Sequence, residues 1–268
     1  MAAVTAAICP ELLERARTAL GDDPFERIGD GTAFAQPAIF CASLAHWKQA
    51  GSPAGDMYAG HSLGELAALV AGGAVDPVAG LDLAIVRGRL MEEAAAANPG
   101  GMLAVLGGEE DSVRALADRF RLAVANFNAP GQLVLSGETE ALGEARRQLR
   151  ADKVKAIRLP VAGAFHSPLM ADAARRFRAE LDRVEFAAPR VPVFSSTAAA
   201  PFVDVPAGLV AALTEPVDWP ATLRAMQAAG AAVFLETGPG DVLTGLNRRT
   251  VPEVDSRSLT DEPEAVHA

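Results

Sequence analysis

Apolar residues recur at two different spacings along the chain, and the spacing separates predicted helices from predicted strands. Four stretches of the N-terminal part have the spacing of helices that bury one face: residues 11–20, 35–50, 63–71 and 77–97. The pair Asp76-Pro77 is typical of a helix start, and Pro37 is expected in the first turn of its helix. Residues 56–60 are short and extended. Helices that alternate with buried strands predict a mostly parallel sheet with helices on both faces.

The pattern changes between Asn98 and Val161. Six elements are predicted there, at residues 102–106, 111–120, 122–127, 132–136, 138–149 and 153–159. Their order is strand, helix, strand, strand, helix, strand, which is the ferredoxin-like order. Chain-breaking residues at 98–101 open this segment, and Pro160 closes it. We therefore predict a small subdomain inserted into a larger α/β domain.

The C-terminal part returns to the alternation of helices and strands. Helices are predicted at residues 171–181, 207–213 and 219–228, and strands at residues 191–195 and 232–235. The second strand runs into Glu236–Gly240, a glycine-rich stretch that matches neither of the phosphate-binding patterns GxGxxG and GxxxxGK(S/T). We interpret this stretch as an ordinary strand-to-helix turn.

Composition and charge exclude several classes of function. The chain has 268 residues, half of them hydrophobic, and a formal net charge of −10. Nucleic acids and anionic membranes attract a basic face, so we expect neither as a partner. The sequence has no apolar stretch of the roughly 18 residues that a membrane span needs, and no recognisable signal peptide. Its two cysteines, Cys9 and Cys41, lack metal-site spacing and favour a reducing, cytoplasmic location.

A serine between two glycines stands where the extended stretch gives way to a helix. Gly60-His-Ser-Leu-Gly64 matches G-x-S-x-G, the nucleophile elbow, in which a strained strand-to-helix turn exposes the serine hydroxyl. The helix start behind it favours the anion that forms when the serine attacks a carbonyl group. The same position also suits a serine that only caps the helix. The placement between strand and helix favours Ser62 as a nucleophile.

A nucleophilic serine needs a base, which is usually histidine. Of the four histidines, His61 adjoins Ser62 and should point away from its hydroxyl, and His46 is expected at a surface edge of its helix. His267 lies in the C-terminal tail. His166 is left as the candidate base; the alternative is a loop histidine bonded to the backbone. No acid is well placed to orient it, unlike the Ser, Asp or Glu, His order of an α/β-hydrolase.

In their order and spacing, the motifs resemble those of the malonyl-CoA:acyl carrier protein transacylases and of the acyltransferase domains of polyketide and fatty-acid synthases. The matching stretches are Ala35–Ala38, Gly60–Glu65, Arg87–Met91, Asn126–Gln132, Ala164–Ser167, Pro216–Trp219 and Glu236–Gly240. The resemblance implies a hydrolase-like, mostly parallel α/β core over residues 1–98 and 163–268. It also implies an inserted ferredoxin-like subdomain over residues 99–162.

The resemblance further implies roles for single residues in a ping-pong transfer of a malonyl group from malonyl-CoA to the phosphopantetheine thiol of acyl carrier protein. Ser62 is the nucleophile and His166 the base. A backbone carbonyl near Ala212 orients the imidazole, which explains the missing acid. Arg87 matches the arginine that grips the malonyl carboxylate, a task for which its planar fork is suited. Without the resemblance, Arg87 would be interpreted as a helix-surface arginine.

Two neighbouring positions complete the implied site. The Leu63 N–H is one oxyanion donor. Phe165 fits the malonyl-specific pattern, because a smaller residue there would leave room for a branched acyl group. The implied substrates are malonyl-CoA and holo acyl carrier protein, in fatty-acid or polyketide synthesis, with no cofactor and no metal. We expect a monomer.

Two other functions stay open at this point. A serine acyl hydrolase acting on acyl-carrier thioesters would share Ser62 and His166 but would have no use for Arg87. A catalytically weakened paralogue would bind carrier protein without turnover.

One departure from the family supports the weakened paralogue. The family begins with a strand and a Gly-Gln-Gly-Ser-Gln-like loop, whose glutamine helps to form the oxyanion hole, and this sequence has neither. Either the start is set too late, which we favour, or a shortened form is made. In a shortened form the lost donor would lower the rate by about 10²–10³, and a missing strand would expose a sheet edge.

Overall fold

The N-terminal part of the chain is mainly helical. The computed structural model describes residues 1–161 and 163–260. In chain order come α1 (Ala2–Ile8), α2 (Pro10–Leu20), α3 (Thr32–Gln49), β1 (Tyr58–Ala59), α4 (Gly64–Ala71) and α5 (Pro77–Ala97). Helices α2 to α5 share one buried apolar cluster, whose members include Leu12, Phe40, Leu69 and Leu81. This cluster is the main core of the larger part of the molecule.

Helix α3 starts earlier than the sequence pattern predicted, at Thr32 instead of Ala35. The Thr32 hydroxyl donates to the carbonyl of Gly88 in α5 at 2.8 Å, which fixes the first turn against the neighbouring helix. A Cβ at Gly88 would lie 2.5 Å from the Thr32 carbonyl oxygen, so this close approach requires glycine. The prediction for Pro37 was therefore wrong by one turn: it lies in the second turn of α3.

The middle of the chain forms an antiparallel sheet covered by two helices. Its elements are β2 (Gly100–Leu106), α6 (Glu110–Arg119), β3 (Ala123–Ala129), β4 (Gln132–Glu138), α7 (Thr139–Ala151) and β5 (Lys155–Arg158). The strands lie in the order β5-β2-β4-β3, which is the ferredoxin-like arrangement. Helices α6 and α7 cover one face through a separate apolar cluster.

The C-terminal part of the chain contributes to three sheets. Its elements are a 3₁₀ turn (Pro168–Met170), α8 (Ala171–Leu181), β6 (Val193–Ser195), β7 (Ala200–Pro201), α9 (Val205–Thr214), β8 (Val217–Asp218), α10 (Trp219–Ala228), β9 (Val233–Glu236), α11 (Val242–Thr250) and β10 (Asp255–Ser258). Strand β6 pairs with β1 in parallel, and β9 pairs with β10 in parallel. Strand β8 pairs with β3 in parallel, so it adds a fifth strand to the otherwise antiparallel sheet and links it to the rest of the chain.

Strand β9 keeps one edge unpaired within the described part of the chain. It pairs with β10 alone, and the side chains of Val233 and Leu235 are 48% and 45% exposed. Between them, Phe234 points the other way into a buried cluster that also contains Phe194 and Leu223. Strands in parallel sheets are normally covered on both faces. In the described structure, β9 is therefore open both at its unpaired edge and on the face that carries Val233 and Leu235.

The predicted α/β class is confirmed, and most predicted elements exist. Helices α5, α8 and α10 begin and end where the sequence pattern placed them. Helices α1 and α11 and strands β7, β8 and β10 were not predicted. The boundaries of the inserted subdomain stay a prediction, because β8 lies outside residues 99–162 and yet joins its sheet. In the described part of the chain, no helix has the length and apolarity of a membrane span.

Helix α5 depends on a capping interaction that can be tested. Asp76 accepts hydrogen bonds from the N–H groups of Val78 and Ala79 at 2.8 and 3.3 Å. We expect Asp76→Ala to lower the free energy of unfolding by about 1 kcal/mol, because two helix donors lose their acceptor. Asp76→Asn keeps a side-chain oxygen and should stay close to wild type. Urea denaturation measures both; an equal loss in the two variants would contradict the capping role.

Candidate active site

Ser62 lies on a tight, strained turn between β1 and α4. Its φ angle is +53°, in the left-handed region that residues other than glycine rarely adopt. A Cβ at Gly60 would lie 1.9 Å from the carbonyl carbon of Gly64, so the turn closes only because residue 60 is glycine. Strain of this kind persists where the surrounding structure holds it in place. The turn leaves the Ser62 hydroxyl partly exposed at the start of α4.

His166 lies beside this hydroxyl. The Ser62 Oγ and the His166 Nε2 are 2.9 Å apart. On the other side of the ring, Nδ1 lies 3.2 Å from the carbonyl oxygen of Glu215. A carbonyl oxygen only accepts, so Nδ1 carries the proton and Nε2 is free to accept the serine proton. The geometry is that of a nucleophile and a base oriented by a third group.

The orienting group is a carbonyl at the end of a helix. The sequence placed it near Ala212, but the hydrogen bond from Nδ1 goes to Glu215, the residue directly after α9. The Ala212 carbonyl also acts on the imidazole. Hydrogen bonding to the Glu215 and Ala212 carbonyls raises the pKa of His166 in both cases. The C-terminus of a helix carries partial negative charge, which suits a ring that becomes cationic during proton transfer.

The imidazole is neutral in the free protein. Burial lowers the pKa of His166 to about 3, and the nearby Arg87 and His61 act in the same direction. At neutral pH the ring is therefore deprotonated at Nε2, as a general base must be. No carboxylate is needed to reach this state.

Arg87 reaches the same hydroxyl from α5. Its guanidinium is buried, and it donates to the Ser62 Oγ at 3.1 Å and to the Gln36 Oε1 at 2.8 Å. Burial lowers the pKa of Arg87 to about 10, while Glu65 acts in the opposite direction, so the group is charged at neutral pH. Among the described residues, no ion pair includes Arg87. A buried cation that contacts only neutral oxygens can accept a carboxylate.

The remaining predicted positions lie next to the serine and the histidine. Leu63 directly precedes the first residue of α4, and within the described residues its N–H has no acceptor. Phe165 is half-buried beside His166 and packs at the meeting point of two apolar clusters. A Cβ at Gly163 would lie 2.2 Å from this ring, so glycine makes space for it. The structure thus brings Ser62, Leu63, Arg87, Phe165 and His166 together.

The other histidines have different partners. The His61 Nε2 lies 2.9 Å from the Asn128 Oδ1, and its ring packs against Trp219. His46 was expected at a surface edge, which is wrong: it is buried, and its Nδ1 lies 2.8 Å from the Gly238 carbonyl oxygen. It fixes the loop after β9 against α3. His267 lies outside the described residues.

Sequence reasoning missed three residues that support the site. Gln36 binds Arg87, and its only signal was its place in the Ala35–Ala38 motif. Glu65, in the serine motif, accepts hydrogen bonds from the N–H and hydroxyl of Ser196 at 2.7 and 2.8 Å. Ser196 had no signal, because it is far from Glu65 in the sequence. Within the described residues, no cluster of His, Cys, Asp and Glu side chains could hold a metal ion.

Comparisons with known proteins agree on one family. Residues 24–262 match the family model described as acyl transferase domain. The malonyl CoA-acyl carrier protein transacylase of Escherichia coli K12 is 35% identical over 285 residues, covering 97% of this chain and 90% of that protein.

Solved structures are similar over nearly the whole chain. The malonyl CoA-acyl carrier protein transacylase of Coxiella burnetii superposes with a TM-score of 0.88 at 30% identity, covering 96% of this chain and 86% of that one. A malonyl-transacylase solved in complex with a type II PKS acyl-carrier protein gives a TM-score of 0.89 at 32% identity, covering 98% and 92%.

The lowered pKa of His166 has a consequence for stability. The unfolded chain takes up a proton on this histidine near pH 6.5, whereas the folded chain resists it down to about pH 3. Stability should therefore fall as the pH drops below 6.5, by up to about 1.4 kcal/mol per pH unit from this group. His166→Gln removes this contribution. We expect urea denaturation to show wild type losing stability relative to His166→Gln between pH 7 and pH 5; a constant difference would contradict the burial of a neutral ring.

Proposed function

Because the chain belongs to the acyl transferase domain family, we propose that it is an acyl-carrier-protein S-malonyltransferase, which moves a malonyl group from malonyl-CoA to the phosphopantetheine thiol of acyl carrier protein. One observation supports both the identity of the acyl group and the mechanism: the buried guanidinium of Arg87 lies 3.1 Å from the hydroxyl of Ser62. A nucleophile and an unpaired cation at this separation suit an acyl group that ends in a carboxylate. The pathway is fatty-acid or polyketide synthesis.

In the first half-reaction Ser62 becomes acylated. His166 Nε2 takes the proton of the Ser62 hydroxyl while Oγ attacks the thioester carbonyl of malonyl-CoA. The tetrahedral intermediate collapses, the carbon–sulfur bond breaks, and the imidazolium returns its proton to the CoA thiolate. The carbonyls at the end of α9 favour the imidazolium while it exists. The product is a malonyl ester on Ser62 and free CoA.

In the second half-reaction the phosphopantetheine thiol of the carrier protein replaces CoA. His166 accepts the thiol proton, and the thiolate attacks the ester carbonyl. The carbon–oxygen bond to Ser62 then breaks, the imidazolium returns the proton to the serine oxygen, and the malonyl thioester of the carrier protein leaves. One site and one base therefore serve both steps, which gives ping-pong kinetics. The relative that was solved with its acyl-carrier protein supports a carrier protein as the acceptor.

The oxyanion is stabilised by the backbone next to the nucleophile. The Leu63 N–H has no acceptor among the described residues, and it lies at the start of α4, where the helix dipole favours negative charge. Removing one such donor typically costs a factor of about 10²–10³ in rate. In this proposal the Leu63 N–H is the donor that the elbow itself contributes.

Arg87 selects the acyl group. A guanidinium can bind a carboxylate through two parallel charge-assisted hydrogen bonds, each worth roughly 1.5–3 kcal/mol. Gln36 holds one of the terminal nitrogens of Arg87, so the fork is positioned before the substrate arrives. Phe165 limits the space next to the histidine, which favours an unbranched malonyl group.

The side chains of the site supply nucleophile, base and charge, and we propose that the reaction needs no cofactor beyond its two substrates. We further propose that the chain acts in the cytoplasm as a monomer. The residues proposed as the site are Ser62, Leu63, Arg87, Phe165 and His166, with the carbonyls of Ala212 and Glu215 orienting the base.

Intact mass spectrometry tests the reaction. Incubation with malonyl-CoA should add one malonyl group to the chain, and Ser62→Ala should abolish the adduct. Addition of holo acyl carrier protein should move the group to the carrier protein much faster than it is lost to water. Loss to water at the same rate with and without the carrier protein would instead show a serine acyl hydrolase. No adduct on the wild-type chain would support a non-catalytic paralogue.

A variant pair tests the role of Arg87. Arg87→Ala should lower kcat/KM for malonyl-CoA about one to two orders of magnitude more than for acetyl-CoA, because only malonyl offers a carboxylate to the guanidinium. Arg89→Ala is the matched control: it lies on the same helix but is exposed and faces Glu93. It should leave both rates unchanged. Equal losses for malonyl-CoA and acetyl-CoA in Arg87→Ala would contradict selection by this arginine.

A further inference from the structure

A buried carboxyl group lies in the first turn of α4, three residues after the nucleophile, and has no step in the mechanism above. We propose that Glu65, acting through Ser196, is a positioning residue that holds the strained turn of Ser62 in its reactive conformation. The inference rests on the proposed role of Ser62 as nucleophile. Glu65 and Ser196 would then affect the rate at which Ser62 is acylated but not the choice of acyl group.

Ser196 connects the turn that contains Ser62 to strands β6 and β8. It follows β6 directly, and its N–H and hydroxyl both donate to the Glu65 Oε1. Its Oγ in turn accepts the Ser62 N–H at 3.4 Å, a long hydrogen bond. Its carbonyl accepts the Asp218 N–H at 2.7 Å, which ties it to β8. Both backbone polar groups and the hydroxyl of Ser196 are therefore used, in four hydrogen bonds, and one of these bonds reaches the strained residue.

Glu65 fixes the orientation of this junction. Its side chain is fully buried, and both hydrogen bonds from Ser196 converge on one carboxyl oxygen. A free serine hydroxyl rotates about its carbon–oxygen bond. Because the Ser196 hydroxyl donates to Glu65, this rotation is restricted, and one lone pair of its oxygen is directed at the Ser62 N–H. Burial raises the pKa of Glu65 to about 7, and the bonds from Ser196 and the charge of Arg87 oppose the rise. The proposed role depends on the two hydrogen bonds from Ser196, which the Glu65 carboxyl group can accept whether it is ionised or protonated.

The turn needs such support because its conformation is unfavourable. A residue other than glycine in the left-handed region costs of order 1–3 kcal/mol, and it stays there only when neighbours over-determine it. Gly60 permits the turn sterically but attracts nothing to it. On the opposite side, His61 is bonded to Asn128 of β3. Asn128 and Ser196 thus anchor two consecutive residues of the turn, His61 and Ser62. Asn128 lies in β3, and Ser196 is bonded to β8 of the same sheet.

The test uses a serine-reactive fluorophosphonate, which reports on Ser62 without requiring any acyl substrate. The serine oxygen bonds to phosphorus, fluoride leaves, and His166 takes the serine proton. The variants are Ser196→Ala, Glu65→Ala and Glu65→Gln, and Gln keeps an oxygen that can accept both Ser196 donors. Ser136→Ala is the control, because it removes an equally buried hydroxyl from β4, outside the site. Rates are normalised to the folded fraction and compared with kcat and KM for malonyl-CoA and acetyl-CoA.

We expect Ser196→Ala to label about 10-fold more slowly and Glu65→Ala about 10- to 100-fold more slowly, since small displacements of a reacting group have effects of this size. The kcat values for both acyl-CoA substrates should fall by the same factor while KM stays constant. Glu65→Gln should label within about threefold of wild type, as should Ser136→Ala. The double variant Glu65→Ala with Ser196→Ala should be no slower than Glu65→Ala alone, because the two residues act as one unit.

The inference is overturned if Ser196→Ala labels as fast as wild type, or if Glu65→Gln is as slow as Glu65→Ala. If Glu65→Ala does not fold, Ser196→Ala and Glu65→Gln decide the question between them. A wild-type chain that reacts with the fluorophosphonate but not with malonyl-CoA would contradict the proposed function, and the labelling rates would still decide the role of Glu65 and Ser196.

Discussion

A single electrostatic constraint organises this molecule: the guanidinium of Arg87 is buried beside the nucleophile and is not paired with any described carboxylate. Burying a cation in this way is costly, so the surrounding structure has to hold it. The Gln36 oxygen and the Ser62 hydroxyl supply neutral acceptors. The cation in turn helps to keep His166 neutral. In the proposed function, the same cation therefore keeps the base neutral and selects the acyl group.

Close contacts between helices place the groups that surround the buried guanidinium. Gln36 lies on α3 and Arg87 on α5, and their side chains meet because Gly88 lets the start of α3 approach α5. On the other side, α9 ends at His166 and presents carbonyl groups where a hydrolase would place an acid. A carbonyl orients the ring and fixes its tautomer without adding a charge. This suits a site that must bind a negatively charged acyl group next to the base.

Much of this arrangement could be predicted from the sequence because it is local. The serine turn is specified by residues 60–64, and the capping pair Asp76-Pro77 specifies the start of α5. Ser62 was named from its motif, His166 by elimination among the histidines, and Arg87 from the family resemblance. The structure brings the imidazole and the guanidinium within hydrogen-bonding distance of the serine hydroxyl.

The parts that could not be predicted depend on contacts between distant residues. The partner of His166 Nδ1 shifts from Ala212 to Glu215, a choice set by how α9 ends in space. Ser196 meets Ser62 only through the pairing of β6 with β1. Helix α11 has only nine residues, and its first N–H groups are held by the carboxylate of Glu236, which lies outside the helix. Strand β10 is polar, so its pairing with β9 leaves no hydrophobic signal.

In the proposed reaction, the Arg87 guanidinium binds a carboxylate carried by an acyl group on Ser62. The decisive measurement is a crystal structure of the acyl-enzyme, trapped after reaction with malonyl-CoA. We expect the malonyl carboxylate within about 3 Å of both terminal nitrogens of Arg87, with the ester carbonyl oxygen facing the Leu63 N–H. A malonyl carboxylate directed into solvent, with Arg87 still bonded only to Gln36, would contradict it.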